Sequence, residues 1–297
     1  MSIVRTPDER FADLPDFPYE PHYTQLGPVR MHYVEAGSGD PILCLHGEPT
    51  WSFLYRKMIP QLATVGRVIA PDMIGFGRSD KYTDRDAYTF QMHRDALAAF
   101  LEALDLRRIT LVCQDWGGLI GLRLAAEMSD RFARLVIMNT GVPTGDEPPS
   151  EGFKRWREFA ANSTDLPVGF IMRRTLVGGD SIDQRVIDAY EAPFPDVSFK
   201  AGAMQFPLLV PISPDDPASP SMRNARKVLG GWTKPALVMF SDGDPITRGG
   251  DRWFRKLIPS AKDQPEIVIK GASHFLQEDS GPEIAEQIVA FLGRTPL

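Results

Sequence analysis

The stretch VCQDWGG at residues 112–118 decides the fold, because an apolar strand runs directly into a pair of glycines and then into a helix. Small residues are required on both sides of such a turn, where backbones crowd together. Cys113 and Gly117 hold those positions, and Asp115 stands at the apex. The pattern predicts a strand–turn–helix that presents Asp115. Taken alone, it also fits an aspartate that merely caps the helix, because Asp is a favoured N-cap.

Strand-like and helix-like segments alternate along the chain on both sides of this turn. Short apolar runs, which suit buried parallel strands, occur at residues 41–45, 67–71, 109–113, 135–138, 236–240 and 266–270. Helical spacing of apolar residues occurs at residues 90–104, 117–128 and 282–292. This alternation predicts an α/β fold with a mostly parallel sheet and right-handed crossovers.

The alternation stops between about residues 145 and 230, where the chain is rich in proline and helix-like in pieces. We interpret residues 145–230 as an inserted helical cap, and residues 1–144 and 231–297 as the α/β core. A cap that follows the fourth of these strands lies over the carboxyl edge of the sheet, where ligands bind in open α/β folds. It would separate the site from water.

Two further motifs supply partners for Asp115. His274 follows the last strand, and the order of nucleophile, acid and histidine along the chain is the one expected for a G-x-S-x-G-type elbow. Asp242 and Asp244 compete for the role of the acid, and Asp244 fits better because enzymes that share this elbow pattern place the acid just before a short apolar or proline step. Without this order, His274 would be read as an ordinary loop histidine and either aspartate as a turn residue.

A third motif, HGEPTW at residues 46–51, follows the first of these apolar strands. The loop at this position supplies one backbone N–H of an oxyanion hole, and the residue after the nucleophile supplies the other. We therefore predict that the backbone N–H groups of Glu48 and Trp116 form that hole. The alternative is a plain turn at Glu48-Pro49.

The composition argues against several classes of function, including nucleic-acid binding, membrane insertion and metal-dependent catalysis. The 297 residues carry a formal net charge of −6 without a long charged block, so nucleic acid is not an expected partner. No signal-peptide core or run of 18 apolar residues is present, which predicts a cytoplasmic protein without a membrane span. The five histidines form no metal-binding pair and no nucleotide loop occurs, so neither a metal nor a cofactor is expected. Cys44 and Cys113 are interpreted as buried core thiols rather than a disulfide.

Together the motifs at residues 46–51, 114–118 and 273–275 resemble the three hallmarks of the haloalkane dehalogenases, particularly their first subfamily. The resemblance spans about residues 27–292. It implies an α/β-hydrolase fold with a mostly parallel eight-stranded sheet, flanking helices and an inserted helical cap. It also implies a monomer that needs no cofactor and hydrolyses haloalkanes with water to a primary alcohol and a halide ion.

The resemblance assigns chemistry to the triad. Asp115 would displace the halide and form an alkyl ester, a step suited to a carboxylate, which is anionic at neutral pH without a base. His274 would then activate water to attack that ester. Asp244 would orient the imidazole and stabilise its charged form.

The family binds its halide with indole N–H groups, which are donors only. Trp116 and Trp156 match the two halide-binding positions. Trp232 is the alternative to Trp156, whereas Trp51 is interpreted as a packing residue. The matching apolar pocket positions are Phe153, Phe206, Pro207 and Val210, although ordinary cap packing would explain them equally well. The chain departs from the pattern at Leu119 and Thr247, which leaves substrate size open.

Two other functions compete. An epoxide hydrolase shares the Asp–His–acid machinery but uses two cap tyrosines, whereas the predicted cap contains only Tyr190. A non-catalytic binding protein of the same fold would usually lack one member of the triad, and all three are present here. Hydrolysis of carbon–halogen bonds is therefore the predicted function.

Overall fold

The computed structural model describes residues 2–297. Its strands are β1 (Ile3–Val4), β2 (His22–Leu26), β3 (Val29–Ala36), β4 (Pro41–Leu45), β5 (Arg67–Pro71), β6 (Lys81–Tyr82), β7 (Ile109–Gln114), β8 (Phe132–Met138), β9 (Ala236–Ser241) and β10 (Ile267–Ile269). Its α-helices are α1 (Ile59–Leu62), α2 (Phe90–Ala103), α3 (Trp116–Glu127), α4 (Glu151–Asn162), α5 (Val168–Thr175), α6 (Gln184–Glu191), α7 (Ala201–Leu209), α8 (Ser219–Gly230), α9 (Gly250–Leu257) and α10 (Leu276–Arg294).

Eight strands form one sheet in the order β10-β9-β8-β7-β4-β5-β3-β2. β3 runs antiparallel to both of its neighbours, and the remaining pairs are parallel. The central strand β7 is buried along its whole length, as expected for a strand covered on both faces. The predicted mostly parallel, eight-stranded α/β-hydrolase sheet is confirmed.

The hairpin β2–β3 lies outside the strands that the sequence predicted. Both strands contain polar residues among the apolar ones. A tight turn joins the two strands at Gly27, where φ is +60°. β2 is the edge strand and is only partly buried, so its sequence lacks the continuous apolar run that marks the central strands. An antiparallel edge with one solvated face produces such a pattern.

Five helices, α4 to α8, lie between β8 and β9, where the sequence predicted a helical insertion. Within it α4 packs against α7, and α5 packs against α6. α8 instead contacts α3 and α9, which flank the sheet. The insertion therefore begins as a separate layer and returns to the core through α8. The predicted limits of the cap, residues 145 and 230, stay a prediction.

Cys44 and Cys113 lie on neighbouring strands, β4 and β7, and are free thiols. Cys44 pairs with Val112, and Leu45 pairs with Cys113. The cysteines are thus offset by one residue, and successive side chains point to opposite faces of a sheet. Among the described residues, no helix is both long and apolar enough to cross a membrane.

A buried ion pair fastens the cap to the core near the carboxyl end of the sheet. Arg56 donates two hydrogen bonds to Glu278, at 2.5 and 2.7 Å, and the hydroxyl of Tyr190 on cap helix α6 donates a third at 2.6 Å. Burial raises the pKa of Glu278, but Arg56 and Lys57 outweigh this effect and lower the pKa to about 2. Glu278 therefore stays ionised and holds both layers.

Glu278→Ala should lower the free energy of unfolding by ~3–5 kcal/mol, because it leaves the guanidinium of Arg56 buried without its partner. Urea unfolding followed by circular dichroism measures this change. Glu151→Ala is the matched control, because it breaks the exposed pair with Lys154 and should leave the stability unchanged. Equal effects of the two substitutions would contradict a structural role for the buried pair.

Candidate active site

The turn between β7 and α3 has the strained conformation expected of a nucleophile elbow. Asp115 adopts φ +50° and ψ −127°, which few non-glycine residues adopt. A Cβ atom on Gly117 would lie 2.1 Å from the carbonyl oxygen of Leu45, so only glycine fits there. The hydroxyl of Thr140 donates to the carbonyl of Asp115 at 2.7 Å and helps to hold the turn. The side chain of Asp115 makes no capping hydrogen bond to α3, which rules out the helix-cap interpretation.

The structure brings Asp115, His274 and Asp244 together, although up to 159 positions separate them along the chain. Nε2 of His274 lies 3.4 Å from Oδ2 of Asp115, and Nδ1 lies 3.0 Å from Oδ2 of Asp244. Asp244 is 1% exposed, and the N–H of Ile246 donates to its Oδ1 at 2.8 Å. Asp242 is exposed and accepts from the N–H of Gly271 instead. Asp244 is thus the carboxylate that faces the histidine.

The charges around His274 favour its protonated form in the resting site. Burial lowers the pKa of His274, but the carboxylates of Asp244 and Asp115 outweigh burial and raise the pKa to about 10. Burial also raises the pKa of Asp244, and the facing imidazole reverses this and leaves the pKa below its usual value. The site therefore holds an imidazolium between two carboxylates.

Glu48 lies beside Asp115 in the loop that follows β4. Its backbone N–H donates to Oδ1 of Asp115 at 2.8 Å, which leaves Oδ2 for His274. A Cβ atom on Gly47 would lie 2.2 Å from that same Oδ1, so the close approach requires glycine. The Glu48 half of the predicted oxyanion hole thus faces the carboxylate, while the Trp116 N–H half stays a prediction. Burial and then Asp115 raise the pKa of the Glu48 side chain well above its usual value.

A cavity of about 640 Å³ opens onto the triad. Asp115, Glu48 and His274 form part of its wall, together with Trp116 and Trp156. Trp116 is 2% exposed, and its ring stacks on Phe206 at 4.4 Å with an interplanar angle of 14°. Trp156 comes from cap helix α4. The two predicted halide-binding indoles therefore line one cavity with the nucleophile.

Comparison with known proteins identifies the family. A family profile described as alpha/beta hydrolase fold matches residues 40–281. A haloalkane dehalogenase from Psychrobacter cryohalolentis is 52% identical, with all of both chains covered. The haloalkane dehalogenase 1 of Mycobacterium tuberculosis is 49% identical, covering 98% of this chain and 99% of the relative. The chain belongs to the haloalkane dehalogenases.

Solved structures agree with this dehalogenase in fold. A tetrameric haloalkane dehalogenase from Paraglaciecola agarilytica superposes with a TM-score of 0.91 at 40% identity, with 98% of each chain covered. Another, from Agrobacterium tumefaciens, gives a TM-score of 0.81 at 25% identity, covering 98% of this chain and 100% of the other. The resemblance inferred from the three motifs is confirmed.

The four predicted pocket residues of this dehalogenase separate into two pairs. Phe153 and Val210 line the cavity. Phe206 and Pro207 are buried on α7 and are not among the lining residues, so their place in the substrate pocket stays a prediction. Phe206 has no exposed surface and stacks on the indole of Trp116.

The other tryptophans differ in their surroundings. Trp51 is fully buried, stacks on Phe53 and donates from its indole nitrogen to the carbonyl of Ala189 at 3.0 Å, which agrees with its predicted packing role. Trp232, the alternative to Trp156, does not line the cavity. Trp253, which the sequence did not single out, does line it.

Asn139, which the sequence analysis did not identify, hydrogen-bonds to both Asp115 and the loop that carries His274. Its carbonyl accepts from the N–H of Asp115 at 3.0 Å. Its side-chain nitrogen donates to the carbonyls of Ser273 and His274 at 3.0 and 3.1 Å. One buried amide therefore connects the elbow to the loop that carries the histidine. No motif marks it, because the partners of its side chain are more than a hundred positions away.

Asp115→Ala should lower the pKa of His274 below about 10, because it removes an anion that stabilises the imidazolium. Nitrogen-detected NMR titration of the imidazole measures the change. Asp242→Ala, which removes an exposed carboxylate that faces Gly271, is the matched control and should leave the pKa unchanged. An unaltered pKa in Asp115→Ala would mean that the two side chains are not coupled.

Proposed function

We propose that Asp115 is the nucleophile that attacks the halogen-bearing carbon, through Oδ2, while Oδ1 stays on the Glu48 N–H. The carbon–oxygen bond forms as the carbon–halogen bond breaks, and the halide leaves with the bonding electrons. The observation that supports this proposal is that the two carboxylate oxygens have different partners. Oδ1 lies 2.8 Å from the backbone nitrogen of Glu48, and Oδ2 faces His274. As a haloalkane dehalogenase, the chain is a hydrolase that acts on carbon–halide bonds.

In the second step, His274 removes a proton from water, whose oxygen attacks Cγ of the Asp115 ester. Negative charge then develops on Oδ1, where the Glu48 N–H already donates and the Trp116 N–H would assist. The intermediate collapses with cleavage of the bond between Cγ and Oδ2, and His274 returns its proton to the departing alkoxide. The second hydrogen of the water leaves as a proton, so turnover acidifies the medium.

Esterification itself prepares His274 for this second step. Asp115 loses its negative charge in the ester, and with it one of the two carboxylates that raise the pKa of His274. The imidazole pKa therefore falls after the first step and a larger fraction becomes neutral, as a general base must be. Asp244 remains to orient the ring and stabilise the imidazolium.

The indoles of Trp116 and Trp156 would hold the departing halide. Both line the cavity that contains Asp115, and an indole N–H donates without offering a competing base. Leu119 and Thr247, the two departures from the family pattern, also line this cavity. We propose that these two residues, with Phe153 and Val210, set the accepted chain length.

The epoxide hydrolase alternative gains no support. Tyr190, the cap tyrosine available to protonate an epoxide, is fully buried and donates its hydroxyl proton to Glu278. Among the described residues that line the cavity, none is a tyrosine. The curated relatives described above are haloalkane dehalogenases.

We also propose that one chain is the working unit in the cytoplasm. The triad and the cavity wall come from a single chain, and the two free thiols suit a reducing compartment. The relative from Paraglaciecola agarilytica is described as tetrameric, so the monomer stays a prediction for this chain.

Asp115→Ala should abolish halide release from 1,2-dibromoethane and 1-bromobutane, because no carboxylate remains to form the ester. Acidification of a weak buffer follows the release, with wild type measured in parallel. The control Asp242→Ala should retain activity. If wild type released no halide but opened styrene oxide, the same triad would have to be assigned to epoxide chemistry.

Trp156→Phe should weaken bromide binding by about tenfold, the loss expected for one hydrogen bond to a charged group. Quenching of tryptophan fluorescence during a sodium bromide titration measures the affinity. Trp232→Phe removes an indole outside the cavity and should leave the affinity unchanged. The reverse result would place the second halide ligand at Trp232.

A further inference from the structure

One arm of the cavity takes no part in the chemistry proposed above. Beyond the triad, its wall includes Glu147, Arg226 and Trp253. These side chains come from three elements: the linker that enters the cap, helix α8 and helix α9. We call this part of the cavity, lined by Glu147, Arg226 and Trp253, the arm.

Arg226 is held firmly in the wall of this arm. Nε donates to the carbonyl of Val142 at 2.6 Å, and the terminal nitrogens donate to the carboxylate of Glu147 at 2.7 and 2.9 Å. The guanidinium also lies 5.0 Å from the ring centroid of Trp253, within cation–π range. A guanidinium has five N–H donors, so each terminal nitrogen keeps one hydrogen for a further acceptor.

The ion pair has an inner and an outer partner. The side chain of Arg226 is 22% exposed, whereas that of Glu147 is 59% exposed. The cation is thus the better buried partner, and water screens the carboxylate more strongly. An anion that enters the arm would therefore be attracted by the guanidinium of Arg226, because water weakens the opposing effect of the Glu147 carboxylate.

The proposed reaction creates such an anion in every turnover. The halide starts between two neutral indoles and must reach solvent before the next substrate binds. Apart from His274, which belongs to the triad, the other described basic side chain in the wall is Arg248, and it is exposed. We propose that Arg226 forms a second, transient halide site through which the halide leaves, with Trp253 positioning the guanidinium. This inference rests on the proposed function, because it concerns the fate of that reaction's anionic product.

A neighbouring ion pair provides a matched control. Arg223 lies one helical turn before Arg226 on α8 and donates to Asp146, the residue before Glu147, at 2.8 and 2.5 Å. Both pairs fasten the same linker to the same helix. Arg223 and Asp146 are not among the residues that line the cavity. Arg223→Gln therefore loosens the linker without altering the arm.

The test is the rate at which sodium bromide enters and leaves the resting enzyme, followed by stopped-flow quenching of tryptophan fluorescence. Arg226→Gln should slow entry and release together by about tenfold, the effect of one lost hydrogen bond to a charged group. The equilibrium affinity of the inner site should stay unchanged, because a site on the path alters both rates equally. Arg223→Gln should match wild type, and Arg226→Lys should recover part of the rate.

Three results would overturn the proposal. Unchanged bromide rates in Arg226→Gln would remove Arg226 from the path. Equal slowing in Arg223→Gln and Arg226→Gln would attribute the effect to the linker, and slowing in Arg248→Gln alone would place the exit elsewhere. Circular dichroism melting checks that each variant is folded. Bromide binding needs no turnover, so the bromide rates test the exit site independently of the reaction. If wild type released no halide from bromoalkanes, that result would refute the proposed function alone.

Discussion

The backbone strain at Asp115 is the constraint on which the site depends. A non-glycine residue at φ +50° and ψ −127° costs on the order of 1–3 kcal/mol, and the surroundings must enforce it. The close contact of Gly117 with the carbonyl of Leu45 and the hydrogen bonds to Asn139 and Thr140 do so. The strained conformation places the carboxylate of Asp115 away from the N-terminus of α3. In this position the carboxylate contacts both the backbone N–H of Glu48 and the imidazole of His274.

Electrostatics then decides which acids can carry charge. Three carboxyl groups, those of Asp115, Asp244 and Glu48, lie close to His274, and a third negative charge would repel the other two. Burial, followed by the charge of Asp115, raises the pKa of Glu48 well above its usual value, which disfavours a third negative charge at this position. This leaves two anions for one imidazolium. In the proposed ester, the loss of the Asp115 charge would shift this balance towards the neutral base.

The sequence predicted those parts of the molecule that follow from local pattern. Continuous apolar runs identified the central strands, and the three motifs placed Asp115, Glu48 and His274 at strand ends. The edge hairpin β2–β3 lacked such a run. The sequence favoured Asp244 over Asp242, and the burial of Asp244 and its contact with His274 then separated the two carboxylates. Asn139, Arg226 and Trp253 act through partners far along the chain, and Phe206 stacks on the indole of Trp116 from the inserted helix α7.

The position of Phe206 shows how the cap controls a core residue. Trp116 begins helix α3 of the core, yet Phe206 from cap helix α7 stacks on its indole at 4.4 Å, while Phe90 of α2 packs at 5.3 Å. Trp156 reaches the same cavity from α4, which packs against α7. Any shift of α4 and α7 therefore moves the indole of Trp156 directly. The same shift moves Phe206, which packs against the indole of Trp116. The two halide-binding positions are thus mechanically linked through the cap, whereas Asp115 and Glu48 are held by the sheet. Substitutions in the cap should consequently alter halide affinity and substrate range with little effect on the nucleophile itself.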